Sequence, residues 1–511
     1  MPAAPATAFG LPLPVVGQGA MIGAIGGDDS TDAAIDVSKY FFPGDVDCRV
    51  PFARAVAALS DLPVAARKRL IIPPGTYTFT PTAASQAALN FPLLDDVEVI
   101  GYGATIIIKA GFTSPRAINI TAASTRISIV GLRFSMPDGV AYTGTPTGIN
   151  AIGVGTTTAP GLSMRYCTFT GNIGITTQAR GIAIGGTNSE VVGCVADTLP
   201  VFINDAGTDN LVIRGNTVTN MYSTTTAPIT STGTLAKVID GNVINNCAVG
   251  GISVVSNASI TNNTISNITA AGGVASTFGI RATTPSFVFN VTISNNRVSG
   301  VVSGSTQGQG IILGTTGTEQ GGSITGNVVN NCNKQGIYVW GSYASITGNL
   351  VTYDTESLGT SDVAIAVRGS FVTCSGNVVM TPGSAAEAIA YSVASSTILG
   401  GIISNNTIIH GSSAAPGADP RNEGIRLNQC NDTVVIGNTI KDAAAHGVYV
   451  GGTCDRCVVA LNRITTTRAV SASYFGVRFD TAVSNSRMNS NIINGYTTPT
   501  SDGGTANTVT V

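Results

Sequence analysis

Eleven times between Asn216 and Asn491 the chain repeats one phrase: an apolar residue, a polar one, Gly-Asn or Asn-Asn, then a β-branched run. It reads VIRGNTV around Asn216, SITNNTI around Asn263, SITGNVV around Asn327 and IISNNTI around Asn406, and wears down to VALNRI around Asn462 and MNSNII around Asn491. Ten intervals cover 275 residues, a mean of 27.5, with single steps from 21 (Asn242 to Asn263) to 33 (Asn263 to Asn296). A unit of fixed kind with insertions of variable length marks a solenoid, in which no repeat can bury its apolar side alone and each stacks on its neighbours.

Within each repeat the short runs alternate apolar and polar residues and are rich in Val, Ile and Thr, which reads as half-buried strands. No repeat has room for a helix of ordinary length. The expected fold is all-β: a right-handed single-stranded parallel β-helix of about fifteen coils, spaced ~4.8 Å apart, with Ile, Val and Leu stacked inside. The Asn pair marks a tight corner, because Asn tolerates the left-handed backbone a corner needs and Gly relieves crowding beside it. Equivalent amides would then stack into a ladder along the axis. Earlier coils, near Gly101, Gly131, Tyr166 and Gly193, take the same corner without Asn. A solenoid lengthens without a new core, so the 511 residues are read as one elongated body.

Charged residues are 11% of the chain and the net charge is -2, which leaves no cationic footprint for nucleic acid. No apolar run is long enough to span a membrane. With only His410 and His446, and no Asp/Glu cluster on adjacent strands, neither a metal site nor a cofactor is expected. The nine cysteines are read as small buried core residues, Cys167 and Cys194 at the corner itself. Cys454-Asp455-Arg456-Cys457 has redox or zinc spacing but stands alone, and is read as two alternating strand residues.

Residues 1–27 are rich in Pro, Gly and Ala and have neither strand nor helix period. Gly27-Asp28-Asp29-Ser30-Thr31-Asp32-Ala33-Ala34-Ile35 follows. Val50 to Leu59 reads as a short amphipathic helix able to cover the open end of the first coil. In Arg69-Leu70-Ile71-Ile72-Pro73-Pro74-Gly75-Thr76-Tyr77 an apolar strand stops at two prolines and Gly makes the turn. These two phrases, with the Asn corner, resemble the pectate lyase-like superfamily, especially phage tailspikes and polysaccharide depolymerases. The chain divides accordingly into a tail or virion adaptor (1–27), a cap and first coils (28–100), the β-helix (101–494) and a C-terminal tail (495–511). The resemblance implies a homotrimer on a virion tail at the host's extracellular surface or, alternatively, a secreted bacterial enzyme. It implies a bacterial capsule, O-antigen or exopolysaccharide as partner.

The inside of a solenoid is packing, so function is sought outside. A second phrase marks one strand per coil: FGIRATT, QGIYVWG, EGIRLN and HGVYVG are examples. Its Ile or Val should point inward and the next residue outward. Arg281, Ile312, Tyr338, Ala366, Ala390, Arg426, Tyr449 and Arg478 then form one outward column, with Trp340, Arg368 and Asp480 in a second column two residues on. Outward rings stack on sugars and Arg forks hold hydroxyls or carboxylates. Trp340, Tyr338, Arg368, Arg426, Tyr449 and Arg281 are therefore the expected substrate-binding residues; the same composition also suits a face packed on another subunit. The residue before each small-Ile pair gives a third column, Gln309, Gln335, Val363, Glu387, Glu423 and His446, with Asp362 one residue from register.

Carboxylates on neighbouring coils stand ~5 Å apart, the retaining separation, and two coils apart ~9.5 Å, within the inverting range. Glu387 with Glu423 is the first case and Asp362 with Glu423 the second. The expected catalytic residues are Glu387 and Glu423 as acid and base or nucleophile, Asp362 in support, and His446. Together with the resemblance this gives a tailspike-like depolymerase that binds and cleaves a polysaccharide by glycoside hydrolysis. One alternative is a lyase or epimerase on uronic-acid polymers, in which Arg neutralises the carboxylate and His446, Tyr449 or an Arg takes the C5 proton. The other is a glycan-binding spike or adhesin without catalysis.

Overall fold

The structure is a computed structural model. It describes residues 32–510 except 64–65, 110–112, 122, 137–144, 146, 152–158, 172–178, 208–209, 234–235, 256, 271–275, 284–288, 304–307, 315–319, 354–362, 382–386, 393–396, 411–422 and 468–472. The proposed tail (1–27), most of the Gly27–Ile35 phrase and Asp362 lie outside the described residues.

After the first strand, Asp32–Asp36, which pairs in parallel with the next, Arg67–Ile71, each strand pairs with the third strand on. Arg67–Ile71 pairs in parallel with Asp95–Ile100, Gly75–Phe79 with Ala104–Ile108, and Ala87–Phe91 with Arg116–Ile120. Each turn of chain thus visits three sheets, called here I, II and III in that order, which hold 18, 16 and 16 strands among the described residues. This is the right-handed parallel β-helix the repeat predicts.

The inward residues stack in register. Ile280, Ile311, Ile337, Ile365, Ile389 and Ile425 of sheet III pair one above another and are fully buried. Each such burial contributes on the order of 1.5–3 kcal/mol. The small residue before each is imposed by the neighbouring coil: a Cβ at Gly424 would lie 2.6 Å from the carbonyl oxygen of Gly447.

The corner between sheets I and II holds the asparagine ladder from Asn216 to Asn491. Asn327 Oδ1 accepts from the backbone N–H of Asn296 at 2.9 Å and from its Nδ2 at 3.0 Å. Its own Nδ2 donates to Ile293 O at 2.8 Å and to Asn349 Oδ1 at 2.9 Å. Cys194, in the corner position of an earlier coil, donates its N–H to Asn216 Oδ1 at 2.8 Å and starts the series. The structure corrects the expected division of labour. The left-handed residue is not the ladder Asn but the one before it: Gly215, Gly241, Gly326, Gly348, Gly376 and Gly437, or Asn262, Asn295 and Asn405. Gly supplies the conformation, and the ladder Asn supplies the hydrogen bonds.

The helix is Arg49–Ser60 and buries Phe52, Ala55, Val56 and Leu59. Tyr77 explains the proline phrase. Its hydroxyl donates back to Pro73 O at 2.8 Å and its ring lies 5.4 Å from that of Phe52, so strand, turn and helix are fastened together. Two further expectations are corrected. The stretch read as a C-terminal tail continues the coil: Thr498–Asp502 pairs with Phe475–Phe479, and Thr508–Thr510 with Arg487–Asn489. Cys454 and Cys457 are free and buried as expected, but they flank a left-handed turn at Arg456 rather than alternating along one strand. Among the described residues no helix is long and apolar enough to cross a membrane.

Candidate active site

The expected columns exist as registers of sheet III. Arg281, Ile312, Tyr338, Ala366, Ala390, Arg426, Tyr449 and Arg478 follow one another coil by coil. In the third column Gln309, Gln335, Val363 and Glu387 pair in turn, and Ala388 N then donates to Glu423 O and Gly424 N to His446 O. Glu387, Glu423 and His446 therefore sit on three consecutive coils.

This corner is covered, not solvated. Glu387, Glu423 and His446 are 7%, 2% and 4% exposed. Buried carboxylates need a counter-charge. Arg426 supplies it: Nη1 donates to Glu387 Oε1 at 2.6 Å, and its side chain remains 23% exposed. Burial works against the guanidinium charge, but the carboxylates of Glu387 and Glu423 more than offset it and hold Arg426 above its ordinary value. The cluster thus joins the two glutamates of adjacent coils with one arginine.

His446 is stacked between the rings of Tyr449 (5.6 Å) and Phe475 (5.7 Å), with Tyr474 edge-on at 5.5 Å. Burial and then the charge of Arg478 lower its pKa to about 4, so the imidazole is neutral near pH 7. Nδ1 accepts the Phe475 backbone N–H at 3.1 Å. Nε2 faces a second donor, Arg478 Nη1, at 3.5 Å, so both ring nitrogens look onto donors and the one lone pair of the neutral ring is held within the cluster. His446 thus sits in the expected column, enclosed by three rings and the Arg478 guanidinium. Tyr449 donates to Asp480 Oδ2 at 2.7 Å, and burial followed by this bond pushes its pKa up to about 12. The same bond, set against burial, helps lower Asp480. Arg426 and Arg478 stand 5.7 and 5.8 Å from the Tyr449 ring centre.

A second cluster lies three rungs away, ~14 Å along the axis. Tyr338 and Trp340 meet edge to face at 5.7 Å, and the exposed Arg368 lies over both rings, 5.4 and 4.9 Å from their centres. Arg281 is two rungs further still. It lies 4.0 Å over Phe278 and donates to Ser253 Oγ at 3.3 Å, so it is not brought together with the glutamates. Asp362 lies outside the described residues. Arg478 and Asp480 complete the Tyr449 group and were not among the expected site residues. Their signal was present in FGVRFD, where Asp480 is the one carboxylate of the second outward column.

A cleft of about 760 Å³ lies between the helix and the first coils, against Val56, Asn90 and Asn119. Among the described residues no group of His, Cys, Asp and Glu is placed to hold a metal ion.

No family model matches the chain, and no curated protein matches it. Solved structures do. The tailspike protein of E. coli bacteriophage HK620, in complex with pentasaccharide, is 13% identical over 90% of this chain and 78% of that one, TM-score 0.43. The A-module of the mannuronan C-5 epimerase AlgE4 of Azotobacter vinelandii is 14% identical over 92% and 97%, TM-score 0.29. Tailspike protein 3 of bacteriophage CBA120 is 12% identical over 92% and 61%, TM-score 0.31. These are the chains this one is similar to in design; its own parallel β-helix stands on the strand register.

Proposed function

We propose that the protein is a tailspike-like depolymerase that binds a bacterial surface polysaccharide along sheet III and cleaves it by glycoside hydrolysis. The observation that carries the reading is the stack of Glu387 and Glu423 on adjacent coils beside Arg426, on a face that also bears Trp340, Tyr338 and Arg368. The repeat and the Pro-Pro-Gly-Thr-Tyr phrase resemble polysaccharide-acting proteins, which supplies the substrate class. A strand spacing of ~4.8 Å is close to the ~5 Å between the two carboxyl groups of retaining enzymes.

The two glutamates differ in surroundings, which is how one acid–base pair takes two roles. Glu387, ion-paired to Arg426, serves as nucleophile or base. Glu423, the more buried, serves as acid toward the leaving oxygen. Arg426 is the exposed member, and a substrate hydroxyl or carboxylate that engages it frees Glu387 to act. Aromatic rings and Arg368 at the second cluster hold the chain against the face. A virion tail as location and a homotrimer as assembly go with this reading. Glu387→Gln and Glu423→Gln should each abolish cleavage and leave binding intact; full activity in both variants sinks the assignment.

A lyase or epimerase on uronic acids is favoured by one observation: Arg426 and Arg478 flank Tyr449, a cationic pair suited to a uronate carboxylate. Against it, a pKa of about 12 keeps Tyr449 a protonated phenol near pH 7, and Nδ1 of His446 is engaged by the Phe475 N–H. An unsaturated uronate product would decide for it.

A further inference from the structure

The turns leading from sheet III to sheet I have their own left-handed position. By register it is held by Asp96, Arg126, Gly161, Asn188, Asn210 and Asn257, and later by Gly321, Tyr343, Phe371, Gly400, Asp432, Arg456, Asn485 and Ala506, with φ from 40° to 88°. Gly, Asn and Asp take such a φ readily, and a bulky side chain does so only at a cost. Tyr343 (φ 58°) and Phe371 (φ 56°) are the aromatic occupants.

The rings do not repay that strain by burial. They stack on each other, centroids 5.0 Å apart and planes 12° apart, yet remain 57% and 47% exposed. The next coil leaves them room: a Cβ at Gly400 would lie 2.7 Å from the Phe371 ring. The turn is fixed by Tyr343 N–H on Ser370 O (2.9 Å) and Phe371 N–H on Gly400 O (2.7 Å). Strain kept without a packing return points to use. Tyr343 lies three residues past Trp340 and Phe371 three residues past Arg368, a reach of at most ~11 Å. The strip ends at Gly321 on one side and, past Gly400, at the Asp432–Arg456 ion pair on the other. It is about two coils wide, ~10 Å. That suits a sugar ring and falls far short of the ~800 Å² that a subunit contact covers.

We propose that Tyr343 and Phe371 form a further sugar-stacking subsite, taking a pyranose ring of the polysaccharide where it passes from Trp340 and Arg368 around the turn toward sheet I. The inference rests on the reading of the protein as glycan-binding. The test uses Tyr343→Asn, Phe371→Asn and the double variant, since Asn already occupies this position in four other coils. Binding is measured on immobilised O-antigen, capsule and exopolysaccharide preparations, with Tm and native mass for each variant.

The expected result is an affinity loss of about 3- to 10-fold per ring, the effect of one aromatic stacking contact. Tm should be unchanged or higher, because Asn relieves the backbone. Unchanged affinity overturns the subsite. So does a loss of affinity that comes with a fall in Tm, which would assign the rings to the fold. Dissociation of an oligomer at unchanged affinity would assign the strip to a second copy of the chain and overturn it too. A wild-type protein that retains none of the glycans overturns the glycan-binding reading itself, and that outcome is distinct from wild-type binding with unaffected variants.

Discussion

Replacing Asn327 by Ala tests whether the ladder holds the coils together. Asn327 is fully buried in the middle of the series. The substitution removes the acceptor of the Asn296 backbone N–H (2.9 Å) and the donor to Ile293 O (2.8 Å). It also removes the two amide–amide bonds to Asn296 and Asn349 (3.0 and 2.9 Å). Asn296 Nδ2 keeps Ile260 O at 2.8 Å, and Asn349 Oδ1 keeps the Asn327 backbone N–H at 2.9 Å, so those two groups are not stranded. The Asn296 backbone N–H is, while Ile293 O keeps its place in the strand ladder. At about 1–3 kcal/mol for the stranded N–H and about 1 kcal/mol for each of the three further bonds, the loss is about 4–6 kcal/mol. Asn491, at the end of the ladder and half-buried, should cost about 1–2 kcal/mol when replaced by Ala, because water can reach its partners. Urea unfolding followed by circular dichroism gives both numbers. A loss below about 1 kcal/mol for Asn327→Ala, or one no larger than for Asn491→Ala, would refute the reasoning.

Three other outcomes follow from the same structure. His446 is held neutral when folded (pKa about 4) against 6.5 unfolded, so the unfolded chain binds the extra proton between those values. Its contribution is whole above pH 6.5, is lost as pH falls, and levels off below about 4; the change is about 3 kcal/mol, and His446→Phe, which preserves the ring stack, should remove that limb from a pH–stability profile. Arg426→Met should cost about 3–5 kcal/mol by removing the cation paired with the buried Glu387 carboxylate, and Arg426→Met/Glu387→Met should recover at least half, read from urea midpoints. Leu461 has φ 56° and is largely exposed at the position the other ladder coils give to Gly, Asn or, before Asn491, Ser490, so Leu461→Asn should raise stability by about 1 kcal/mol, visible as a higher Tm.

The fold and the columns were legible because both depend on period. A phrase that returns every 21 to 33 residues fixes which residues share a corner, and strict alternation fixes which side of the sheet each residue takes. Arg426, Tyr449 and Arg478 could be placed in one file from that alone. What period cannot carry is conformation and partnership. The ladder Asn and the left-handed residue before it are adjacent and often both Asn, so the sequence does not say which does which. The pairing of Arg426 with Glu387 joins residues 39 apart through a side-chain rotamer. The engagement of His446 Nδ1 depends on a backbone N–H of the next coil. The final residues looked like a tail because Thr498–Asp502 and Thr508–Thr510 are short and polar, yet pairing with the preceding coil is enough to order them.

The most direct test of the central claim is to incubate the purified protein with bacterial capsules, O-antigens, alginate and pectin. Reducing ends and ultraviolet absorbance are followed together, with Glu387→Gln and Glu423→Gln run in parallel. The account predicts new reducing ends on at least one glycan, no rise in absorbance, and loss of both cleavage activities but not of binding in the variants. Reducing ends that rise together with absorbance, or cleavage that survives both substitutions, would contradict it.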